Sequence, residues 1–125
     1  MKILLDTNFI ISCINQKIDF FSKANQLIDE KIEFIVPQEV IEELKTISTR
    51  KGEKIKDKQS AQVALETIKL IQPIIINLNS KDTDTGIANY SNKNNVSVAT
   101  LDNGLKSRLK TKILTIQDKT SLGFV

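Results

Sequence analysis

The chain has 125 residues, 40% apolar and 26% charged, which sets aside disorder, coiled coil and collagen-like structure and fits one domain, residues 1–125, around a single core. Its 18 Lys and Arg against 15 Asp and Glu leave a formal charge of +3, with no histidine and one cysteine, so imidazole acid-base catalysis, a histidine metal site and a disulfide framework are excluded. The longest apolar runs fall far short of the ~18 residues a membrane span needs, and the start of the chain lacks the features of a signal peptide, so a soluble, cytoplasmic protein is expected.

In chain order, Lys2 to Leu5 reads as a buried strand that stops on Asp6, with Thr7 and Asn8 directly after it. Open α/β sheets place their ligands just past the carboxyl ends of the strands, which makes Asp6 the first residue to suspect. The ordinary alternative is that Asp6 caps a helix through Phe9, Ile10, Ile11 and Ile14. Cys13, among those isoleucines, reads as core filling. A second helical pattern runs from Ile18 to Glu30, with Phe21, Ala24, Leu27 and Ile28 on one face. Glu33 to Val36 is the second strand, ended by Pro37, which suits the first turn of a helix through Val40, Ile41, Leu44 and Ile47. The polar stretch Arg50 to Lys58, with Gly52, reads as a mobile surface connection to a helix near Gln59 to Ile71. Pro73 breaks that helix, Ile74 to Ile76 form a third strand, and a helix from about Asp82 to Asn94 follows. Val96 to Ala99 is the fourth strand, Asn103 to Leu109 a short helix and Ile113 to Ile116 the fifth strand. The alternation predicts an α/β fold with a parallel sheet covered on both faces.

Helix geometry of ~100° per residue then sorts the acids. After Pro37, Val40, Leu44 and Ile47 share a narrow arc; Glu43 lies roughly 90° from its centre, at the border of a cleft, whereas Glu42 points nearly opposite and Glu39 is a weaker candidate. In the later helix Asp84 falls on the arc of Ile87, Ala88 and Ser91, while Asp82 suits a cap or first-turn charge. Asp102 follows the fourth strand and opens the next helix, where an N-cap role is again open. If strands one and four are neighbours, Asp6, Asp84 and Asp102 gather at one sheet edge. Carboxylates crowded without a basic partner repel one another, and burial raises their pKa values. A hard divalent cation, Mg²⁺ or Mn²⁺, is the natural remedy.

The positive charge is uneven as well. Lys45, Arg50, Lys51, Lys54, Lys56 and Lys58 face only Glu53 and Asp57 along one stretch, and Lys106, Arg108, Lys110 and Lys112 form a second run. Such runs are commonly solvated faces; two of them beside gathered carboxylates suit a polyanionic substrate held by its phosphates. Arg50, Lys51, Lys54, Lys106 and Arg108 are the residues expected to contact those phosphates. Aromatic residues are too scarce for base stacking to dominate.

Four segments, ILLDTNFI, VPQEVIEEL, DTDTGIANY and VSVATLDNGLKSRL, taken together resemble the PIN-domain ribonucleases from end to end. The resemblance implies a three-layer α/β/α sandwich with a five-stranded parallel sheet, and a Mg²⁺- or Mn²⁺-dependent endonuclease acting on single-stranded RNA. It points to Asp6 as the central metal ligand, with Glu43, Asp84 and Asp102 completing the acidic pocket and Thr7, Asn8 and Thr100 orienting them. Gly86 stands where a larger residue is frequent in the family. Within the family, VPQEVIEEL and ATLDNGLKSRLK look more like the branch that trims ribosomal RNA precursors than like a VapC-type toxin, which has the same length and acids and a paired antitoxin. A homodimer and a non-catalytic RNA-binding scaffold remain open. A phosphoacceptor receiver domain shares the alternation, but it needs paired acids after strand one, an aspartate after strand three and a lysine after strand five; Asp6 stands alone, and Asn77 and Gln117 occupy the other two places. Phosphatases with an Asp-x-Asp signature are disfavoured by Asn8.

Overall fold

The computed structural model describes residues 1–125. Its central sheet has six strands: β1 (Lys2–Leu5), β2 (Glu33–Pro37), β3 (Ile74–Ile76), β4 (Ser97–Ala99), β5 (Ile113–Ile116) and β6 (Leu122–Phe124). They lie in the order β3-β2-β1-β4-β5-β6. The first five are parallel, as the alternation predicts. A sixth strand, not read from the sequence, adds antiparallel to β5 with Thr115 opposite Gly123. Three residues of which one is glycine carry too little alternation to be seen without the neighbour they pair with.

Strands β1 and β4 are direct neighbours, pairing Leu4 with Val98 and Leu5 with Ala99. Their chain therefore leaves the sheet side by side, at Asp6 and Thr100. Each strand is buried on both faces, so successive residues serve different cores. Ile3 and Leu5 join Phe9, Phe20, Phe34 and Leu44 in the larger cluster, where Phe20 meets Phe9 and Phe34 edge-on at 6.1 Å. Leu4 instead packs with Ile35, Ile87, Val98 and Leu105.

Six helices cover the sheet. On the larger core lie α1 (Thr7–Asn15), α2 (Phe20–Leu27), α3 (Gln38–Thr49) and α4 (Ile55–Ile71); α5 (Thr83–Asn94) and α6 (Asn103–Lys106) cover the smaller one. Helix α4 begins four residues earlier than its apolar pattern suggests, because Ile55 at its start is 74% exposed and carries no inward signal. The supposed mobile stretch is thus reduced to Arg50–Lys54, and Asp57 is a first-turn charge of α4. The helix ends at Gln72 in a left-handed conformation, just before Pro73. Cys13 is fully buried, and burial pushes its thiol up to about 12, which leaves it inert core filling.

Candidate active site

Asp6 ends β1 and caps α1, so the cap and the site are one residue rather than alternatives. Its Oδ1 accepts from the Thr7 backbone N–H at 2.9 Å, and its Oδ2 accepts from the Thr100 hydroxyl at 2.8 Å. That second bond joins the ends of the neighbouring strands β1 and β4. The residue is only 5% exposed. Burial, with smaller contributions from the charges of Asp84 and Glu43, pushes its carboxyl up to about 6 against the pull of the two hydrogen bonds.

Thr100 is the hub of the loop behind Asp6. While donating to Asp6 its Oγ1 accepts from the Asp102 backbone N–H at 3.2 Å. Asn8 holds the same loop through Oδ1, which accepts from the Leu101 N–H at 3.2 Å. Asp102 itself caps α6, accepting from Leu105 N–H at 3.0 Å, the N-cap role left open by the sequence. On the other side, the Thr7 hydroxyl donates to Glu43 Oε2 at 3.1 Å. Three polar residues between the acids therefore tie three of them to one framework.

Asp84 sits in the first turn of α5, half-buried. Burial raises its pKa, followed by the charges of Asp102 and Asp82, with Arg108 opposing. Asp6 thus feels the charges of Asp84 and Glu43, and Asp84 feels that of Asp102, which links the four acids as neighbours in a chain. No three carboxylates converge closely enough to enclose a metal ion by themselves. The chain's two ion pairs, the N-terminus with Glu30 and Arg50 with Glu53, involve none of them. A buried carboxylate beside other carboxylates and with no cationic partner fits a hard divalent ion, which is ordinarily held by one or two carboxylates and completed by water.

The acids that helix geometry set apart behave differently. Asp82 caps α5 through Thr85 N–H at 3.2 Å and also accepts from the Thr85 hydroxyl, and these bonds lower its pKa. Glu42 is exposed. Glu39 accepts from the Leu78 N–H through both carboxylate oxygens, at 3.2 and 3.1 Å. Gly86 is explained by its surroundings: a Cβ there would stand 2.9 Å from Ser80 Cβ and 3.0 Å from Leu78 Cβ, so no side chain fits unless the 78–80 segment moves.

Beside Glu43 a groove of about 320 Å³ continues along Thr7, Asn8, Ser12, Asn15, Glu53 and Asp57. Thr7 and Asn8 are expected there from the sequence, whereas Ser12, Asn15, Glu53 and Asp57 are not. Asn15 bridges α1 to α4 by donating to Asp57 at 3.2 Å and accepting from Ser60; its only signal is the three-residue step from Asp57 to Ser60, visible once α4 is known to start at Ile55. Among the expected RNA contacts, Arg50 is committed to Glu53 at 2.9 Å, while Lys51 and Lys54 are exposed. Arg108 donates to Thr85 Oγ1 at 2.9 Å, at the rim near Asp84. Lys106 donates to Thr115.

The chain belongs to the PIN-like domain family, whose model matches residues 3–118. Among known proteins it is 33% identical over 109 residues to the ribonuclease VapC4 of Methanocaldococcus jannaschii, an alignment covering 86% of this chain and 82% of that one. Its fold is similar to that of the PIN domain endonuclease Utp24, with a TM-score of 0.80 at 24% identity over 98% of this chain and 90% of the other. It is also similar to VapBC2 from Rickettsia felis, solved bound to a DNA fragment from their promoter, with a TM-score of 0.64 at 19% identity over 94% of this chain and 100% of that one. No helix is long and apolar enough to cross a membrane.

Proposed function

We propose that the chain, as one domain over residues 1–125, is an endoribonuclease that hydrolyses single-stranded RNA with Mg²⁺ or Mn²⁺, and that Asp6, Glu43, Asp84 and Asp102 form its active site. The observation that carries this is Asp6, a carboxylate 5% exposed at the end of the central strand, oriented on both oxygens and lacking any cationic partner. Support comes from membership of the PIN-like family and from the 33% identity to a protein named as a ribonuclease.

A divalent ion at these carboxylates would supply Lewis acidity, lowering the proton affinity of water and offsetting phosphate charge. The protein's own part is orientation. Thr7 and Thr100 fix the Asp6 carboxylate, Asn8 and Thr100 hold the loop of Asp102, and the Thr7 hydroxyl steadies Glu43. Arg108, at the rim, is placed to meet a substrate phosphate as a fork of donors. With no histidine to take the proton of a ribose 2′-hydroxyl, water is the attacking group. The products are a 3′-hydroxyl and a 5′-phosphate.

Incubation with structured and unstructured RNA, with and without Mg²⁺ or Mn²⁺, tests this. Metal-dependent cleavage of the unstructured RNA is expected. Binding without cleavage would support the scaffold alternative instead, and a 2′,3′-cyclic phosphate product would overturn the hydrolytic route. For the biological substrate we keep ribosomal RNA precursors, on the strength of the VPQEVIEEL and ATLDNGLKSRLK segments. A VapC-type toxin is the second reading, favoured by the identity to VapC4; an antitoxin gene beside this one would decide for it.

A further inference from the structure

We infer that Glu39 is a positioning residue that sets where Asp84 stands relative to Glu43, an inference that rests on the proposed endoribonuclease activity. Strand β3 pairs with β2 up to the couple Pro37 and Ile76. Beyond it β2 turns into α3, so the backbone ladder ends. Leu78, two residues past β3, finds its acceptor in Glu39 at the first turn of α3, one turn before Glu43. A carboxylate thus continues the seam between the two segments where no carbonyl is left to do so. Hydrogen bonds to an ionised acceptor are among the stronger ones a loop can have.

The contact is transmitted because the next interface leaves no space. Leu78 and Ser80 lie against Gly86 so closely that even a methyl group would collide with both. Gly86 is two residues after Asp84 in α5. The Ser80 hydroxyl also donates to the Asp82 carbonyl at 2.8 Å, tying the segment to the start of the same helix. The path therefore runs from α3, which carries Glu43, through Glu39 and residues 78–80 to the helix that carries Asp84. Loss of the Glu39 bond leaves Asp84 in place chemically but frees the segment that fixes its distance from the rest of the site. Misplacement of an active-site group by ~1 Å is enough to cost on the order of 100-fold in rate.

The test compares Glu39→Ala with Glu39→Gln, whose amide oxygen still accepts from Leu78. In the metal-free proteins, hydrogen exchange of the Leu78 amide should accelerate about tenfold or more in Glu39→Ala and stay near wild type in Glu39→Gln. With added Mn²⁺, paramagnetic broadening of the Asp84 and Thr85 amide signals should need several-fold more metal in the alanine variant only. RNA cleavage should lose roughly ten- to a hundredfold in kcat with KM nearly unchanged, again only in the alanine variant. Unchanged Leu78 exchange in Glu39→Ala overturns the inference, as does a glutamine variant as impaired as alanine, which would make the Glu39 charge itself the active feature. An alanine variant that merely melts earlier, with normal kcat and normal Mn²⁺ broadening while folded, overturns it too. If the wild-type protein cuts no RNA, the endoribonuclease reading fails, and the exchange and Mn²⁺ measurements still decide the role of Glu39.

Discussion

Asp6 and Asp84 are two carboxylates of the proposed active site, built in opposite ways. Asp6 ends a strand buried on both faces, and each of its oxygens has its own donor: the Thr7 backbone N–H at the start of α1 and the Thr100 hydroxyl just beyond β4. Asp84 stands in the first turn of a helix, half-buried, with no hydrogen bond to orient its side chain and a position that depends on how the 78–80 segment packs on Gly86. One is a rigid anchor set by the sheet, and the other an adjustable wall set by a loop. Enzymes that bind a small, strictly octahedral ion need at least one ligand of the first kind, because flexible oxygen ligands alone favour larger ions. The rate should therefore depend most on the anchor.

Asp6→Asn breaks the anchor and carries the largest effect. Cleavage should fall on the order of 10³-fold or more, since the replacement is isosteric but cannot supply negative charge. The same change should stabilise the metal-free protein. Well below pH 3.8 the Asp6 carboxyl is protonated folded or unfolded and costs nothing; as pH rises from there towards about 6 the unfolded chain ionises first, and stability is lost until the folded carboxyl ionises as well. The gap between 3.8 and about 6, at ~1.4 kcal/mol per pK unit, amounts to ~3 kcal/mol at neutral pH. Urea unfolding at pH 7 and pH 4 should show Asp6→Asn more stable at the higher pH by up to that amount, with the difference shrinking to roughly half a kcal/mol at the lower one. A variant equally destabilised at both would mean that Asp6 is a structural cap and not a strained ligand.

Thr100→Val tests the hub behind the anchor. The valine keeps the volume, removes the donor to Asp6 and removes the acceptor of the Asp102 N–H. The Asp102 N–H is half-buried, so leaving it without a partner should cost about 1 kcal/mol, the low end for an orphaned donor, and a looser Asp6 should slow cleavage roughly ten- to a hundredfold. Thr100→Ser, which keeps the hydroxyl, should recover most of both.

How far the sequence disclosed this site follows from the same contrast. Strand β1, an unbroken apolar run stopped by Asp6, is legible because burial on both faces writes a continuous signal, and so is Ile113 to Ile116; Ile74 to Ile76 is largely exposed and is legible from its β-branched run after Pro73 instead, and the bounds of both agree residue for residue. The helical arcs separated Glu43 from Glu42 and Asp84 from Asp82 for a related reason, that the core imposes its period on each helix. What stayed hidden is whatever long-range pairing decides. Strand β6 is strand only because β5 lies beside it. Glu39 lies further round its helix than Glu43 and so reads as the weaker candidate, and its partner, the Leu78 N–H 39 residues away, leaves no local mark. Asn15 and Asp57 meet only once α4 is extended by a turn that has no apolar mark.

On the adjustable wall a matched pair sharpens the contrast. Asp84→Asn should weaken Mn²⁺ binding and reduce kcat by roughly tenfold, less than the anchor, whereas Asp82→Asn should leave kcat within about twofold because asparagine caps α5 nearly as well as aspartate. Metal titrations followed by single-turnover cleavage separate the two. Equal losses in both variants would remove the distinction between wall and cap.

The smallest effect belongs to the basic loop outside both regions. Of its three cations Arg50 is paired with Glu53, so only Lys51 and Lys54 are free to meet phosphates in the protein as it stands. Exposed lysines that contact phosphate release counterions on binding, and each lost contact should lower the slope of log K against log salt by roughly 0.7 for a single strand. Replacing Lys51 and Lys54 with glutamine should therefore flatten the slope by about 1.4 and weaken binding at low salt, with turnover at saturating RNA nearly unchanged because neither side chain lines the acidic groove. Adding Arg50→Gln should change the slope by less than either lysine, since that cation is already neutralised. If the double lysine variant keeps the wild-type slope, the loop is a solvated surface, and the rim cation Arg108, which faces Asp84, is left as the phosphate contact to replace next.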